Sequence, residues 1–467
     1  MKFSRRQFLS DAIASSLATA GIGSVGTALS GFNAHAADTS GYRALVCVFL
    51  FGGLDCHDIV LPYDPASYDQ FASIRSSLLQ AQGVARSRTS LLPLTTSDAT
   101  QFGSRRYALP PELAGIKALY DQGSAAVVGN VGPLVQPTNR ISFEQQSVLL
   151  PPRLFSHNDQ QAVWQASAPE GALFGWGGRF ADAVLSANGA PEFSTISSKG
   201  DGLFLTGQNA QPHNVNSGGA TRIDLLEDLE FLTTEGVDAS VQSTARALLR
   251  SERYQAANLF ARDMASAQRA AIDSNDRYNA ALAGAQPIST VFPVSPLGAQ
   301  LRAVAEAISV RNSLQVSRQI FFVGLGGFDT HSSQATSLPG LLRTIDSAVT
   351  AFHAEMLAQG LSRDVTLFTA SDFGRTLAVN GDGTDHGWGG HQFVVGGAVQ
   401  GGAIYGDLPP IAVGHEQDSG GGRLIPTSSV EQMAAPLGRW FGLNETELVA
   451  ALPNLPNFAA SSPLAFI

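Results

Sequence analysis

Val365-Thr366-Leu367-Phe368-Thr369-Ala370-Ser371-Asp372-Phe373-Gly374-Arg375-Thr376 is the stretch on which the fold turns. Its β-branched and aromatic start, Val365–Thr369, reads as a buried strand, and the run stops on an acidic residue followed by glycine. Two other stretches repeat the pattern. Ala44–Leu50 leads into Phe51-Gly52-Gly53-Leu54-Asp55, and Gln319–Val323 leads into Gly326-Gly327-Phe328-Asp329-Thr330-His331. A denser group follows at Asp385-His386-Gly387-Trp388-Gly389-Gly390-His391. Strand ends that carry carboxylates and imidazoles to one edge are how an open α/β sheet builds a site.

Working outward, helical spacing appears at Pro110–Gln122, Ser156–Trp164, Gly175–Ser186, Leu297–Ser313, Leu338–Gln359, Ser428–Phe441 and Asn444–Leu452. Ala125–Val131 and Gln392–Val395 read as further strands. Alternating strands and helices predict an α/β fold, a parallel sheet covered by helices on both faces. Residues 187–222 are polar and glycine-rich, and Asp224–Ala283 is strongly helical. The stretch at about 187–290 is therefore expected to be a helical cap or insert within one domain spanning 37–467.

The N-terminus reads as a targeting segment. Ser4-Arg5-Arg6-Gln7-Phe8-Leu9 is a twin-arginine pattern, Ala12–Leu29 is weakly apolar, and Ala34-His35-Ala36 offers a small-x-small cleavage site. Residues 1–36 are thus expected to be a signal peptide for a periplasmic or secreted protein. Ser, Thr and Gly interrupt the apolar stretch, so no stable membrane span is expected. Removing that segment takes away Lys2, Arg5, Arg6 and Asp11, which moves the net charge from −10 to −12. An acidic chain without clustered Lys and Arg is not built for nucleic acid. The two cysteines, Cys47 and Cys56, are too few for a zinc ribbon. A disulfide between them would fold a strand back onto its own end.

Seven residues are candidate metal ligands: Asp55, Asp329, His331, Asp372, Asp385, His386 and His391. Mixed Asp and His donors suit a divalent ion such as zinc or manganese, with calcium as a further choice. Seven groups can serve two ions, or one ion plus groups that support its ligands. Four of them also have an ordinary reading: Asp55 and Asp372 as caps, Asp329 in an Asx turn, His331 as a solvated loop residue. Ser156 opens a helix, where free N–H groups favour an anion and a hydroxyl nucleophile, or simply caps it. Arg375 can clamp a phosphate or sulfate oxygen, or serve a structural ion pair.

These motifs, in this order, resemble the bacterial domain of unknown function family 1501. Besides the twin-arginine signal and the strand ending in Gly-Gly-x-Asp, the resemblance rests on Leu109-Pro110-Pro111-Glu112-Leu113, Leu119-Tyr120-Asp121-Gln122-Gly123, Ala126–Gly132, Ser156-His157 with Trp164, Gly327–His331, Ser371–Thr376 and Asp385-His386. It covers nearly all of the mature chain. That family is similar in fold to the alkaline phosphatase and sulfatase superfamily. The resemblance implies a metal site using Asp55, Asp329, His331 and Asp372, a serine nucleophile at Ser156, and a late histidine at His386 or His391. Where the superfamily usually has histidine after the third aspartate, this chain has Phe373. The implied function is an exported metal-dependent hydrolase of phosphate or sulfate esters acting on a small anionic ester. The alternative is a non-catalytic extracytoplasmic protein on the same fold that binds a partner or a glycan and keeps a degenerate metal site.

Overall fold

The computed structural model describes residues 38–96, 100–200, 202–221, 244, 247 and 259–467. The twin-arginine segment and most of the expected helical insert lie outside the described residues; of the latter, a helix over Leu259–Ala283 is described. No described helix is long and apolar enough to cross a membrane.

A ten-stranded sheet forms the centre. Its strands are β1 (Arg43–Leu50), β2 (Ala125–Gly132), β3 (Thr195–Ser197), β4 (His213–Asn216), β5 (Gly219–Ala220), β6 (Arg318–Leu325) and β7 (Val365–Ser371). After a small hairpin of β8 (Arg375–Val379) and β9 (Thr384–His386), the sheet continues with β10 (Gly390–Val395), β11 (Ile404–Gly406) and β12 (Ser428–Ser429). The spatial order is β11-β2-β10-β7-β1-β6-β3-β4-β5, with β12 also on β2. Flanking helices include α1 (Ala114–Asp121), α2 (His157–Ala166), α3 (Trp176–Val184), α4 (Pro296–Ser309), α5 (Gln334–Ala358) and α6 (Val430–Phe441).

The period of two in a strand explains the layering. Ala44, Val46, Val48 and Leu50 of β1 join a core with Ile116 of α1, Leu301 of α4 and Leu342 of α5. The alternate residues Leu45, Cys47 and Phe49 join the opposite core, with Phe180 of α3 and Leu437 of α6. Both faces are dry, which is why β1 reads as a continuous apolar run. Cys47 and Cys56 are free and buried.

The expectation of an all-parallel sheet needs correcting. β1, β3, β4, β6 and β7 run parallel, but β10 is antiparallel to both β7 and β2, and β5 is antiparallel to β4. A parallel return requires a crossover, usually helical. Residues 372–389 hold only the β8–β9 hairpin and loops, so the chain comes back in the opposite sense. The result is a mixed α/β sheet.

Register brings the three strand ends level. Leu50 pairs with both Leu325 and Ser371. Asp55, Asp329 and Asp372 therefore leave the same edge, and β10 enters there, with Gly390 opposite Val131 of β2. The turn after β1 is packed too tightly for a side chain. At Gly52, with φ +114°, a Cβ would lie 2.4 Å from the backbone nitrogen of Asp329. Gly52→Ala should therefore destabilise the fold by about 1–3 kcal/mol from backbone strain alone, with the clash added. Urea denaturation checks this, and a loss below ~0.5 kcal/mol, the range of neutral surface changes, would contradict it.

Candidate metal centre

Three imidazoles and one carboxylate meet at this sheet edge. His157 is the first residue of α2, Asp329 and His331 follow β6, and His386 ends β9. Ligand atoms of His157, Asp329 and His386 all lie within 4.8 Å of one another. His157 Nε2 is 3.5 Å from Asp329 Oδ2, and His386 Nε2 is 3.3 Å from Asp329 Oδ1. His331 Nε2 is 3.2 Å from the same Oδ1 and 2.8 Å from His386 Nε2. Donors held at ~2.0–2.2 Å around one ion are separated by roughly 3–3.5 Å, so the spacing of His157, Asp329 and His386 suits a single coordination sphere, with His331 bordering it through Asp329 and His386. Two imidazole nitrogens 2.8 Å apart also require a shared proton or a shared cation between their lone pairs.

Each ring's other nitrogen is already tied, and that decides the tautomers. His157 Nδ1 lies 2.7 Å from Asp372 Oδ2, and His386 Nδ1 lies 2.8 Å from the Phe155 carbonyl oxygen. Both partners accept, so both Nδ1 atoms carry a proton, and in the neutral rings both Nε2 lone pairs turn toward Asp329. His331 Nδ1 faces Asp385 Oδ1 at 3.3 Å, the same arrangement at longer range. Asp372 is fully buried. Its Oδ2 also accepts from Gln161 and the Gly52 amide, while its Oδ1 has no hydrogen-bond partner among the described residues. Phe373 is wedged between two of these imidazoles, its ring centroid 4.8 Å from that of His157 and 4.6 Å from that of His386.

Local charge follows the same contacts. The hydrogen bond to Asp372 holds His157 above the usual imidazole range, against its partial burial. Burial raises Asp329, but the Arg375 bond and the neighbouring positive charges outweigh it and leave this carboxylate below its ordinary value. His386 is lowered, chiefly by burial.

The remaining sequence candidates are placed differently. Asp55 is buried and faces Arg75, whose Nη1 and Nη2 reach Asp55 Oδ2 and Oδ1 at 2.5 and 3.0 Å; Gln334 donates to Oδ2 as well. His391 is buried, accepts from the Asn130 amide at 3.0 Å, and is held down at about 4 by burial. Asp385 stands outside the cluster, taking Asn380 Nδ2 at 2.6 Å. Arg375 has no exposure and is committed to Asp329 (2.8 Å), the Gly52 carbonyl (3.1 Å) and Thr384. It braces a ligand. The Ser156 hydroxyl donates to Asp159 Oδ2 at 3.0 Å and makes no capping bond to the helix. His157, the neighbour of Ser156, is the candidate ligand that the sequence reading left out. An apolar cavity of about 360 Å³ lined by Pro436, Val449, Leu455, Phe458 and Leu464 contains none of these groups. Chemistry, and not volume, marks the centre.

The family model DUF1501, described as a protein of unknown function, matches residues 42–452. The chain belongs to this family. No curated protein matches this DUF1501 chain. Among solved structures, the crystal structure of Ps i-CgsB in complex with k-i-k-neocarrahexaose is similar over 90% of the DUF1501 chain and 77% of that one. The identity is 9% and the TM-score 0.34, too distant for any property to be carried across.

Proposed function

We propose that this protein is an exported, divalent-metal-dependent hydrolase of phosphate or sulfate esters, built on an alkaline-phosphatase-like fold. One observation carries the reading: the Nε2 atoms of His157 and His386 close on the Asp329 carboxylate as one compact group, with His331 Nε2 beside it and all three Nδ1 atoms facing acceptors. Three imidazole nitrogens and one carboxylate oxygen suit zinc or manganese. Calcium, which prefers six to eight oxygens, fits this donor set poorly. One ion is proposed, since Asp55 and His391 have partners of their own. When bound, it supplies Lewis-acid polarisation of the ester.

The protein's own groups do the rest. Asp372 keeps the His157 proton on Nδ1, and Arg375 holds Asp329 in place. Ser156 is the proposed nucleophile. It stands at the N-terminus of α2, one residue before a ligand, and its hydroxyl proton already points at the Asp159 carboxylate, which can take it. Free N–H groups of the first turn of α2 favour a charged ester oxygen.

Ser156→Ala is expected to abolish turnover of an aryl phosphate or aryl sulfate while metal content, measured by elemental analysis, stays at the wild-type level. Full activity in Ser156→Ala would make water the nucleophile. A wild type carrying zinc, manganese or magnesium and inert on both esters would sink the hydrolase reading in favour of a non-catalytic binding protein.

A further inference from the structure

His386 is gripped on two sides by residues that donate nothing to the cluster themselves. Its Nδ1 proton goes to the Phe155 carbonyl at 2.8 Å, and its own carbonyl accepts from Arg423 Nε at 2.8 Å. The two gripping residues also touch each other, with the Arg423 guanidinium 5.4 Å from the centroid of the Phe155 ring. Phe155, Arg423 and His386 thus form a closed triangle of contacts.

The backbone on both sides of the triangle is shaped for it. Phe155 has φ +71° and Arg153 φ +48°. A bulky residue with positive φ is strained, and such strain persists only where surrounding contacts hold it. Here the Ser156 amide donates to the Arg153 carbonyl at 3.2 Å, closing the turn, and Phe155 packs against the group of Leu134, Trp388, Ile425 and Phe458. On the other side, the run Gly420-Gly421-Gly422 before Arg423 is held by buried Asp418. Its Oδ1 accepts from the Gly420 and Gly422 amides at 2.7 and 2.9 Å. Arg423 Nη1 then bonds the Gly420 carbonyl at 3.0 Å.

A carbonyl partner decides which His386 nitrogen is free to bind an ion, and that carbonyl belongs to the strained residue. Were the turn 153–156 to open, Nδ1 would lose its acceptor and the ring would be free to rotate or change tautomer. We propose that Phe155 and Arg423 are positioning residues, a clamp that presents His386 Nε2 to a divalent ion and ties ion affinity to closure of the turn at 153–156. This rests on the reading that the cluster of His157, Asp329, His331 and His386 binds a metal.

Cobalt(II) titration of the metal-free full chain tests it, read by the visible ligand-field bands. Arg423→Gln is expected to weaken cobalt binding about 10–100-fold, the usual consequence of losing an outer partner of a ligand. It should also change band intensity as the His386 ligand loosens, with the melting temperature of the metal-free protein unchanged. Arg423→Lys, which keeps a donor and a cation, should restore part of the affinity. Phe155→Val, a β-branched residue where φ is positive, should weaken binding in the same way. Wild-type affinity and spectrum in either Arg423→Gln or Phe155→Val would overturn the clamp. So would weaker binding with unaltered bands and an equal loss of metal-free stability, since that is ordinary destabilisation. Failure of the wild type to bind cobalt would overturn the metal reading itself, and the clamp with it.

Discussion

His157→Ala and His386→Ala should each weaken zinc or manganese binding by more than about a hundredfold, and each should remove the stabilisation that the ion gives the fold. Losing a donor from the compact group of His157, Asp329 and His386 opens the coordination sphere, a larger loss than the 10–100-fold typical of an outer partner. Both imidazoles are held by acceptors on Nδ1, so their Nε2 atoms reach the centre already oriented. An ion that binds only the folded chain adds about 2.7 kcal/mol at a free concentration one hundred times its dissociation constant. In the wild type this appears as a rise of the unfolding midpoint that a chelator reverses. In either variant the rise should vanish, and His157→Ala should also lower the metal-free midpoint, because it takes one partner from the buried Asp372 carboxylate. His331→Ala should reduce affinity less, because its ring is more exposed and its Nδ1 contact longer. His391→Ala is the control: it accepts from Asn130 away from the cluster, so metal affinity should not move. An ion-dependent midpoint that survives in both His157→Ala and His386→Ala would place the metal elsewhere.

What the sequence showed of this centre follows from what a strand can encode. An apolar run that stops at glycine and then aspartate marks both the strand and the edge where it ends. Level register of β1, β6 and β7 does the rest, bringing Asp329, His331 and Asp372 to one place. His386 was legible from composition, as one of nine histidines set among glycines. The allegiance of each group was less visible. Asp55 has the same local pattern as Asp329, but its partner Arg75 follows a separate helix over Pro65–Ile74, and no spacing rule links the two. Ser156 and His157 are adjacent, and that His157 is the one joining the cluster depends on the phase of the first turn of α2. That phase is set by contacts of His157 with Asp372 and Phe373, far along the chain. The reversed strand β10 was hidden for the same reason: its direction is decided by the lack of a helix between residues 372 and 389, and a glycine-rich loop looks alike in either sense.

The contrast between Asp55 and the cluster leads to the second large effect. Arg75→Met should destabilise the protein by about 3–5 kcal/mol at neutral pH, the cost of leaving a buried carboxylate without its counter-charge. Asp55 and Arg75 are both buried, and the arginine also bonds the carbonyls of Leu377 and Thr376 at 3.1 and 2.7 Å. Burial on its own raises the Asp55 carboxyl, but the Arg75 charge and hydrogen bonds outweigh it and leave the group below its ordinary value. A depressed carboxyl contributes stability above the unfolded value of ~3.9, and loses it as pH falls through the lower folded value. With Arg75 gone, burial dominates and the folded value rises above the unfolded one. The variant then gains stability relative to neutral pH as the carboxyl protonates. The gap between wild type and Arg75→Met should therefore be widest near pH 7 and narrow steadily toward pH 4. Urea denaturation across that range measures it directly. A gap that stays constant with pH would mean that Asp55 is not the group left unpaired. A gap below ~1 kcal/mol together with lost metal binding would return Asp55 to the ion, as the family resemblance first implied.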